Sequence, residues 1–209
     1  MPRVCFRDRH LLVVDKPAGL LSVPGRGERH RDCLLHRVQE CHPGARVVHR
    51  LDMDTSGLLV LALHPEAQSS LSRAFQGRRV EKHYLAVVAG RPPGTRGVID
   101  LPLAADWPNR PRQVVDRARG RPALTRWELL GYDPVADRSR LLLRPVTGRS
   151  HQLRVHLQAL GHPILGDPLY ADPAARHAAP RLLLHARRLA FEHPLEPGRW
   201  LDVWSPEPF

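Results

Sequence analysis

Apolar residues along this chain come mostly in short runs of strand length, separated by turn-forming residues. Residues 10–15 (HLLVVD) form one such run, ended at Lys16-Pro17, where proline removes a backbone donor and stops regular pairing. Residues 57–63 (GLLVLAL) are unbroken in apolar character and too few for a helix, the pattern of a strand buried on both faces. Further strands are predicted at 82–89, 124–130, 139–146, 182–191 and 200–204. Three segments follow helical spacing instead. Leu34, Leu35 and Val38 place a short helix within 32–41, and Pro65 opens a second with Leu71, Ala74 and Phe75 as its apolar stripe. The third spans 150–160, with Leu153, Val155, Leu157 and Leu160 facing inward and Gly161 and Pro163 as its stop. Ala18-Gly19 and Pro24-Gly25 punctuate a turn-rich stretch, and residues 91–121, crowded with Pro, Gly and Arg, read as short strands and exposed basic loops. Strands outnumber helices and hairpin-like connections are common. The class is therefore α+β, with a mixed, mostly antiparallel sheet flanked by helices and loops.

Length and composition add three constraints. No repeat or linker divides the 209 residues, so one domain over 1–209 is expected. No apolar run approaches the roughly 20 residues needed to cross a bilayer, and the polar residues 1–9 lead straight into a strand, with no signal peptide; a cytoplasmic protein is expected. A formal net charge of +11 favours a polyanionic partner through attraction to phosphates. Lys16 and Lys82 are the only lysines, so nearly all of that charge is arginine. Cys5, Cys33 and Cys41 are odd in number and lack C-x-x-C spacing, as expected of reduced thiols. The 13 histidines include no H-E-x-x-H and no second pair at finger-like spacing, so no metal site is expected.

Candidate chemistry concentrates in three segments. In residues 48–62 (VHRLDMDTSGLLVLA), a polar cluster of His49, Arg50, Asp52, Asp54, Thr55 and Ser56 precedes the buried strand, where rigid elements commonly mount catalytic groups. A turn whose side chains bond their own backbone accounts for Asp54, Thr55 and Ser56, and less well for Arg50 and Asp52. In residues 147–156 (TGRSHQLRVH), His151, Arg154 and Gln158 share one helical face by spacing, and the turn carrying Arg149 lets backbone amides and guanidinium groups meet an anion at the helix start. The third segment, Lys82-His83-Tyr84-Leu85-Ala86, sets Tyr84 in a strand, where core packing is the ordinary role of a tyrosine.

Taken in order, DKPxGLLSVPG, HRLDxxTSGLLxxA, KxYLAxVxG and TGRSHQLRVHxxxLGHPILGDxxY resemble the RluA-type pseudouridine synthase family. The resemblance runs from about Leu11 to the C-terminus. Residues 106–113 (DWPNRPRQ) and 179–186 (APRLLLHA) further resemble its dual-specificity branch, which modifies both tRNA and 23S rRNA. The resemblance implies the pseudouridine synthase catalytic fold, with a central active-site cleft and no separate N-terminal RNA-binding domain. It implies isomerisation of uridine in structured RNA without a cofactor, at uridine 32 of the tRNA anticodon loop and uridine 746 of a 23S rRNA hairpin. Asp52 is then the essential carboxylate, Arg154 its ion-pair partner, and Tyr84 the residue under the uracil ring. Arg50 resembles the family arginine that enters the RNA stack where the target base leaves. His49, Arg149, His151, Arg110 and Arg112 complete the expected RNA contacts. A monomer with no obligatory protein partner is expected. The alternatives are the same chemistry at another uridine, or a non-catalytic RNA-binding module, for which the carboxylate is unnecessary. A retaining glycosidase, which needs two working carboxylates, and a metal nuclease fit less well.

Overall fold

The computed structural model describes residues 2–25, 27 and 31–209. Its elements in chain order are β1 (Arg3–Arg7), β2 (Leu11–Lys16), α1 (Leu34–Gln39), β3 (Arg46–Val47), β4 (Ser56–Ala62), α2 (Pro65–Gln76), β5 (Glu81–Ala89), β6 (Arg96–Asp100), β7 (Leu103–Ala105), β8 (Gln113–Val115), β9 (Leu124–Asp133), β10 (Arg138–Pro145), α3 (Gln152–Ala159), α4 (Pro173–His177), β11 (Leu184–Glu192) and β12 (Trp200–Trp204). The strands outweigh the helices and pair mostly antiparallel, as expected for the α+β class. Among the described residues no helix is long and apolar enough to cross a membrane.

The chain forms two compact units, one of Met1–Lys82 with His185–Pro208 and one of His83–Leu184 with Phe209. The first is built around β4. Every residue of that strand is buried, as its unbroken apolar sequence requires. β2 lies antiparallel beside it, Leu11 opposite Ala62 and Lys16 opposite Gly57, and β1 lies antiparallel on β2. β11 meets β4 in parallel, His185 opposite Ser56 and Ala186 opposite Gly57, and β12 lies antiparallel on β11. Leu11, Val13, Leu58 and Val60 from one face of β2 and β4 pack with Ala67 and Leu71 of α2 and with Leu189, Phe191, Leu201 and Val203. Each such aliphatic side chain taken fully from water stabilises the fold by about 1.5–3 kcal/mol. Gly57 has a φ of +109°, and a Cβ there would overlap the backbone of Ala186, so only glycine permits the parallel contact.

In the second unit β5, β10, β9 and β6 run antiparallel in that order. Its core joins Ala86, Val88, Trp127, Leu141 and Leu143 of the sheet to Leu153 and Leu157 of α3. The small β7–β8 pair projects the segment between Ala105 and Gln113.

Several expectations are corrected. The polar residues 3–7 are strand β1, an edge strand whose exposed and half-buried positions need no apolar run. α3 begins at Gln152 rather than 150, because His151 adopts a left-handed conformation (φ 53°) that breaks the helix before it. Arg154 and Gln158 do not share an environment: every residue from Gln152 to Leu157 is buried, whereas Gln158 is exposed. Asp172 caps α4, absent from the sequence reading, by accepting the Ala175 amide at 2.9 Å.

Candidate active site

Asp52 sits half-buried in the loop between β3 and β4, and the backbone on both sides of it is anchored. The Ser22 hydroxyl donates to the Leu51 carbonyl at 2.7 Å and accepts the Leu51 amide at 3.1 Å. On the other side, the fully buried Lys16 donates to the Met53 carbonyl at 2.8 Å, and also to those of Pro17 and Leu20 at 2.8 and 2.7 Å. Three carbonyl acceptors replace the water an ammonium loses on burial. Burial still pushes the Lys16 pKa down to about 8, against the opposing pull of the Asp54 and Asp52 carboxylates. The Thr55 amide closes the turn onto the Asp52 carbonyl at 3.1 Å. The DKPxGLLSVPG segment thus serves as a brace for the Asp52 loop, through a lysine and a serine to which the sequence reading gave no role.

Ser56 departs from its expected role as a turn residue bonding its own backbone. Its hydroxyl meets His185 Nδ1 at 2.9 Å, His185 Nε2 meets the Ser205 hydroxyl at 3.1 Å, and that hydroxyl donates to Asp15 at 2.6 Å. This buried polar chain ties the start of β4 to the C-terminal strands.

His49 packs within the first unit. Its ring stacks on Phe75 with centroids 4.3 Å apart, and Nε2 accepts the Val60 amide at 3.1 Å. Burial, helped by the Lys82 charge, lowers its pKa to about 3, so the imidazole is neutral at physiological pH and offers RNA no charge. Arg50, by contrast, is exposed on the same loop.

In the second unit, Arg154 of α3 is buried and forms a bidentate pair with Asp167, Nε to Oδ2 at 2.8 Å and Nη2 to Oδ1 at 2.6 Å. Asp167 Oδ1 also accepts the amides of Leu169 and Tyr170 at 2.9 and 3.1 Å. Tyr170 gathers three residues that the sequence singled out. Its hydroxyl lies 2.6 Å from His151 Nδ1, and the guanidinium carbons of Arg154 and Arg112 lie 5.1 and 5.4 Å from its ring centroid. The same hydroxyl accepts the Gln113 amide at 2.8 Å, joining the β7–β8 segment to this cluster. Asp167 and Tyr170 are the polar positions of GDxxY, so the motif itself was the available signal.

Arg149 lies apart from this cluster: its Nε donates to the Pro122 carbonyl at 3.1 Å and its amide to Gln152 Oε1 at 3.0 Å. The expected anion seat at the helix start is thus partly occupied by the chain's own Gln152. Arg110 stacks on Trp107, its guanidinium carbon 3.3 Å from the ring centroid. Tyr84 is half-buried on β5, opposite Leu143, and packs against the core of its unit.

Among the described residues one trio, Asp8, His193 and Glu196, brings metal-capable atoms together. Its valences are already used. His193 Nε2 faces Asp8 at 2.8 Å, its Nδ1 accepts the Leu195 amide at 3.3 Å, and Glu196 pairs with Arg199 at 2.7 Å. The trio is a hydrogen-bonded network joined to the Glu196–Arg199 ion pair.

Comparison with known proteins bears on this arrangement. Residues 10–159 match the sequence profile described as RNA pseudouridylate synthase. The chain is 54% identical over 192 residues to the dual-specificity RNA pseudouridine synthase RluA of Escherichia coli strain K12, covering 91% of this chain and 87% of that protein. It is 48% identical over 202 residues to the protein of that name from Pasteurella multocida, covering 97% and 91%. Among solved structures it resembles human RNA pseudouridylate synthase domain containing 1, with a TM-score of 0.83 and 33% identity over 100% of this chain and 84% of that one.

Proposed function

The chain belongs to the RNA pseudouridylate synthase family, whose members isomerise uridine in RNA, and from that premise we propose that it modifies uridine 32 in the tRNA anticodon loop and uridine 746 in a 23S rRNA hairpin, with Asp52 as the essential carboxylate. The observation that carries the catalytic assignment is the bracing of Asp52. Ser22 and Lys16 hold the neighbouring residues Leu51 and Met53, so the carboxylate reaches its substrate from an anchored backbone. Asp54 is assigned to the turn, which the Thr55 amide closes onto the Asp52 carbonyl. The dual-specificity names of relatives matched along nearly their whole length support the choice of substrates.

The reaction breaks the bond between ribose C1′ and uracil N1, leaving the bonding electrons on the base. The base turns, C5 bonds C1′, the C5 proton departs and N1 gains one. Atoms and electrons balance without a co-reactant. Asp52 serves this sequence by attacking C1′, by stabilising positive charge there, or by taking the 2′ proton, three roles open to a carboxylate. Arg154 is assigned to orient Asp52. Its bidentate hold on Asp167 fixes the guanidinium plane, as such a partner requires. Tyr84 is assigned to the face of the uracil ring, and Arg50 to the stack vacated by the extruded base. Arg110, Arg112, Arg149 and His151 contribute RNA contacts in the second unit. In this reading the enzyme acts as a monomer in the cytoplasm.

The test uses anticodon stem-loop and 23S hairpin transcripts tritiated at uridine C5. Wild type should release tritium from both, and Asp52→Asn from neither while binding RNA within about threefold, because phosphate contacts dominate affinity. Turnover by Asp52→Asn would refute the catalytic assignment. Release only from a different rRNA site would refute the substrates.

A further inference from the structure

Trp107 is a large aromatic side chain left in water at 69% exposure, in the segment between β7 and β8. A single exposed apolar residue is ordinary. Here, however, the ring is held: the Arg110 guanidinium covers it at 3.3 Å from the centroid, and the surrounding turn is ordered. The Asp106 carboxylate accepts both contacts of the Asn109 side chain amide at 3.2 and 3.0 Å, and the Asn109 amide bonds the Asp106 carbonyl at 3.1 Å. The turn closes where the Asp106 amide meets the Arg112 carbonyl at 2.9 Å. Holding an indole rigid in solvent gives the protein no burial, so the ring's stability contribution does not explain it.

The charge around it is consistent with a nucleic-acid face. Between Leu103 and Arg121 stand Arg110, Arg112, Arg117, Arg119 and Arg121, against Asp106 and Asp116 alone. Both carboxylates are engaged internally, Asp106 by Asn109 and Asp116 by the amides of Ala118 and Arg119 at 2.9 Å each. A rigid aromatic face set among arginines is the combination that binds single-stranded nucleic acid, the ring stacking on a base while the cations meet phosphates. The segment is also coupled to the Arg154 cluster, since the Tyr170 hydroxyl accepts the Gln113 amide while touching His151.

We propose that Trp107, backed by Arg110, is a stacking platform for one unpaired base of the substrate RNA, in the same loop as the target uridine. The inference rests on the RNA substrates proposed above. An arginine on one face leaves the other for the base, and a stacked base has a defined distance to Tyr170 and Arg154, so the platform selects loops that present an unpaired base at that spacing.

The test measures Kd and tritium release for wild type, Trp107→Ala and Trp107→Phe on the stem-loop transcripts and on versions carrying an abasic nucleotide at each loop position in turn. Trp107→Ala should weaken binding by about ten- to a hundredfold, as removal of one stacked base does. Trp107→Phe should stay within about threefold. At one loop position the abasic substitution should weaken wild type by a like factor and leave Trp107→Ala unaffected, which identifies the base. The salt slope of log Kd should be the same for wild type and Trp107→Ala, since no phosphate contact is lost. Equal affinity of Trp107→Ala and wild type, or an alanine penalty unchanged at every abasic position, overturns the platform. Quenching of indole emission on adding RNA, present in wild type and reduced in Trp107→Phe, reads stacking without turnover. Tritium release by wild type separately tests the substrate reading, so failure of one is distinct from failure of the other.

Discussion

Replacing Asp167 by alanine removes the carboxylate that holds the buried Arg154 guanidinium through two bonds. The Asp167 side chain has no exposure and that of Arg154 only 3%. Truncation leaves a guanidinium without the two short bonds it makes through Nε and Nη2, and the Leu169 and Tyr170 amides without the oxygen they share. Breaking a buried ion pair by removing one partner costs about 3–5 kcal/mol, and each orphaned amide adds on the order of 1 kcal/mol. A loss of about 5–7 kcal/mol is therefore expected, a large part of the roughly 5–15 kcal/mol that typically holds a folded protein. Urea melts followed by near- and far-ultraviolet circular dichroism should register it as a midpoint lowered by roughly 2 M. The double variant Arg154→Met with Asp167→Leu removes both charges and fills their space with apolar groups. It should recover much of the loss, because such replacements of buried pairs are often neutral. The same double variant should fail to release tritium, which separates the catalytic use of Arg154 from its part in the fold. A loss below about 1 kcal/mol in Asp167→Ala, or a double variant no more stable than the single one, would refute the account of the pair.

Three further outcomes are expected. Lys16 has its pKa lowered from 10.5 to about 8, so between those values the unfolded chain holds a proton that the folded chain has released. Wild-type stability relative to Lys16→Met should therefore rise with pH across that window, by up to about 1.4 kcal/mol per pH unit, and a flat difference in urea melts would refute it. For His49 the folded value of about 3 lies below the ordinary 6.5, so stability present above 6.5 is lost as pH falls towards 3. His49→Leu should lose that component of acid sensitivity, and an unchanged acid limb of the melts would count against a neutral ring packed on Phe75. Gly57→Ala forces a Cβ into the Ala186 backbone at a positive φ and should cost about 2 kcal/mol or more, read by thermal melting; a shift within 1 °C would refute the packing argument.

The sequence carried the local parts of the fold and lost the distant ones. The strand at β4 was legible because burial on both faces demands an unbroken apolar run, and α2 because Pro65 and its apolar stripe lie within about three turns. β1 was missed because an edge strand tolerates polar residues on its exposed positions. The start of α3 was misplaced because a left-handed histidine leaves no signature that spacing can read. The candidate site divides in the same way. Motif resemblance pointed to Asp52, Tyr84 and Arg154 as candidates, but Ser56 meets its partner across 129 residues and Lys16 reaches Met53 across 37. Such contacts depend on chain topology rather than on neighbouring sequence. Arg154 with Asp167 lay closer, 13 residues apart, yet on opposite sides of a Gly-Pro turn that spacing does not resolve.

The parallel contact between β4 and β11 has a consequence for how the protein is made. One compact unit is contiguous but for Phe209, spanning His83–Leu184, while the other draws its main body from both ends of the chain. On a ribosome, β4 emerges roughly 120 residues before β11, an interval of about 6–25 s at ordinary elongation rates. During that interval Leu58 and Val60 lack Leu189, Phe191, Leu201 and Val203, and Gly57 has no strand to receive. The nascent first unit therefore waits with apolar surface uncovered while the second can already close. Slowing or stalling synthesis before residue 185 should increase recruitment of chaperones to the nascent chain, whereas stalling after Trp204 has emerged should not.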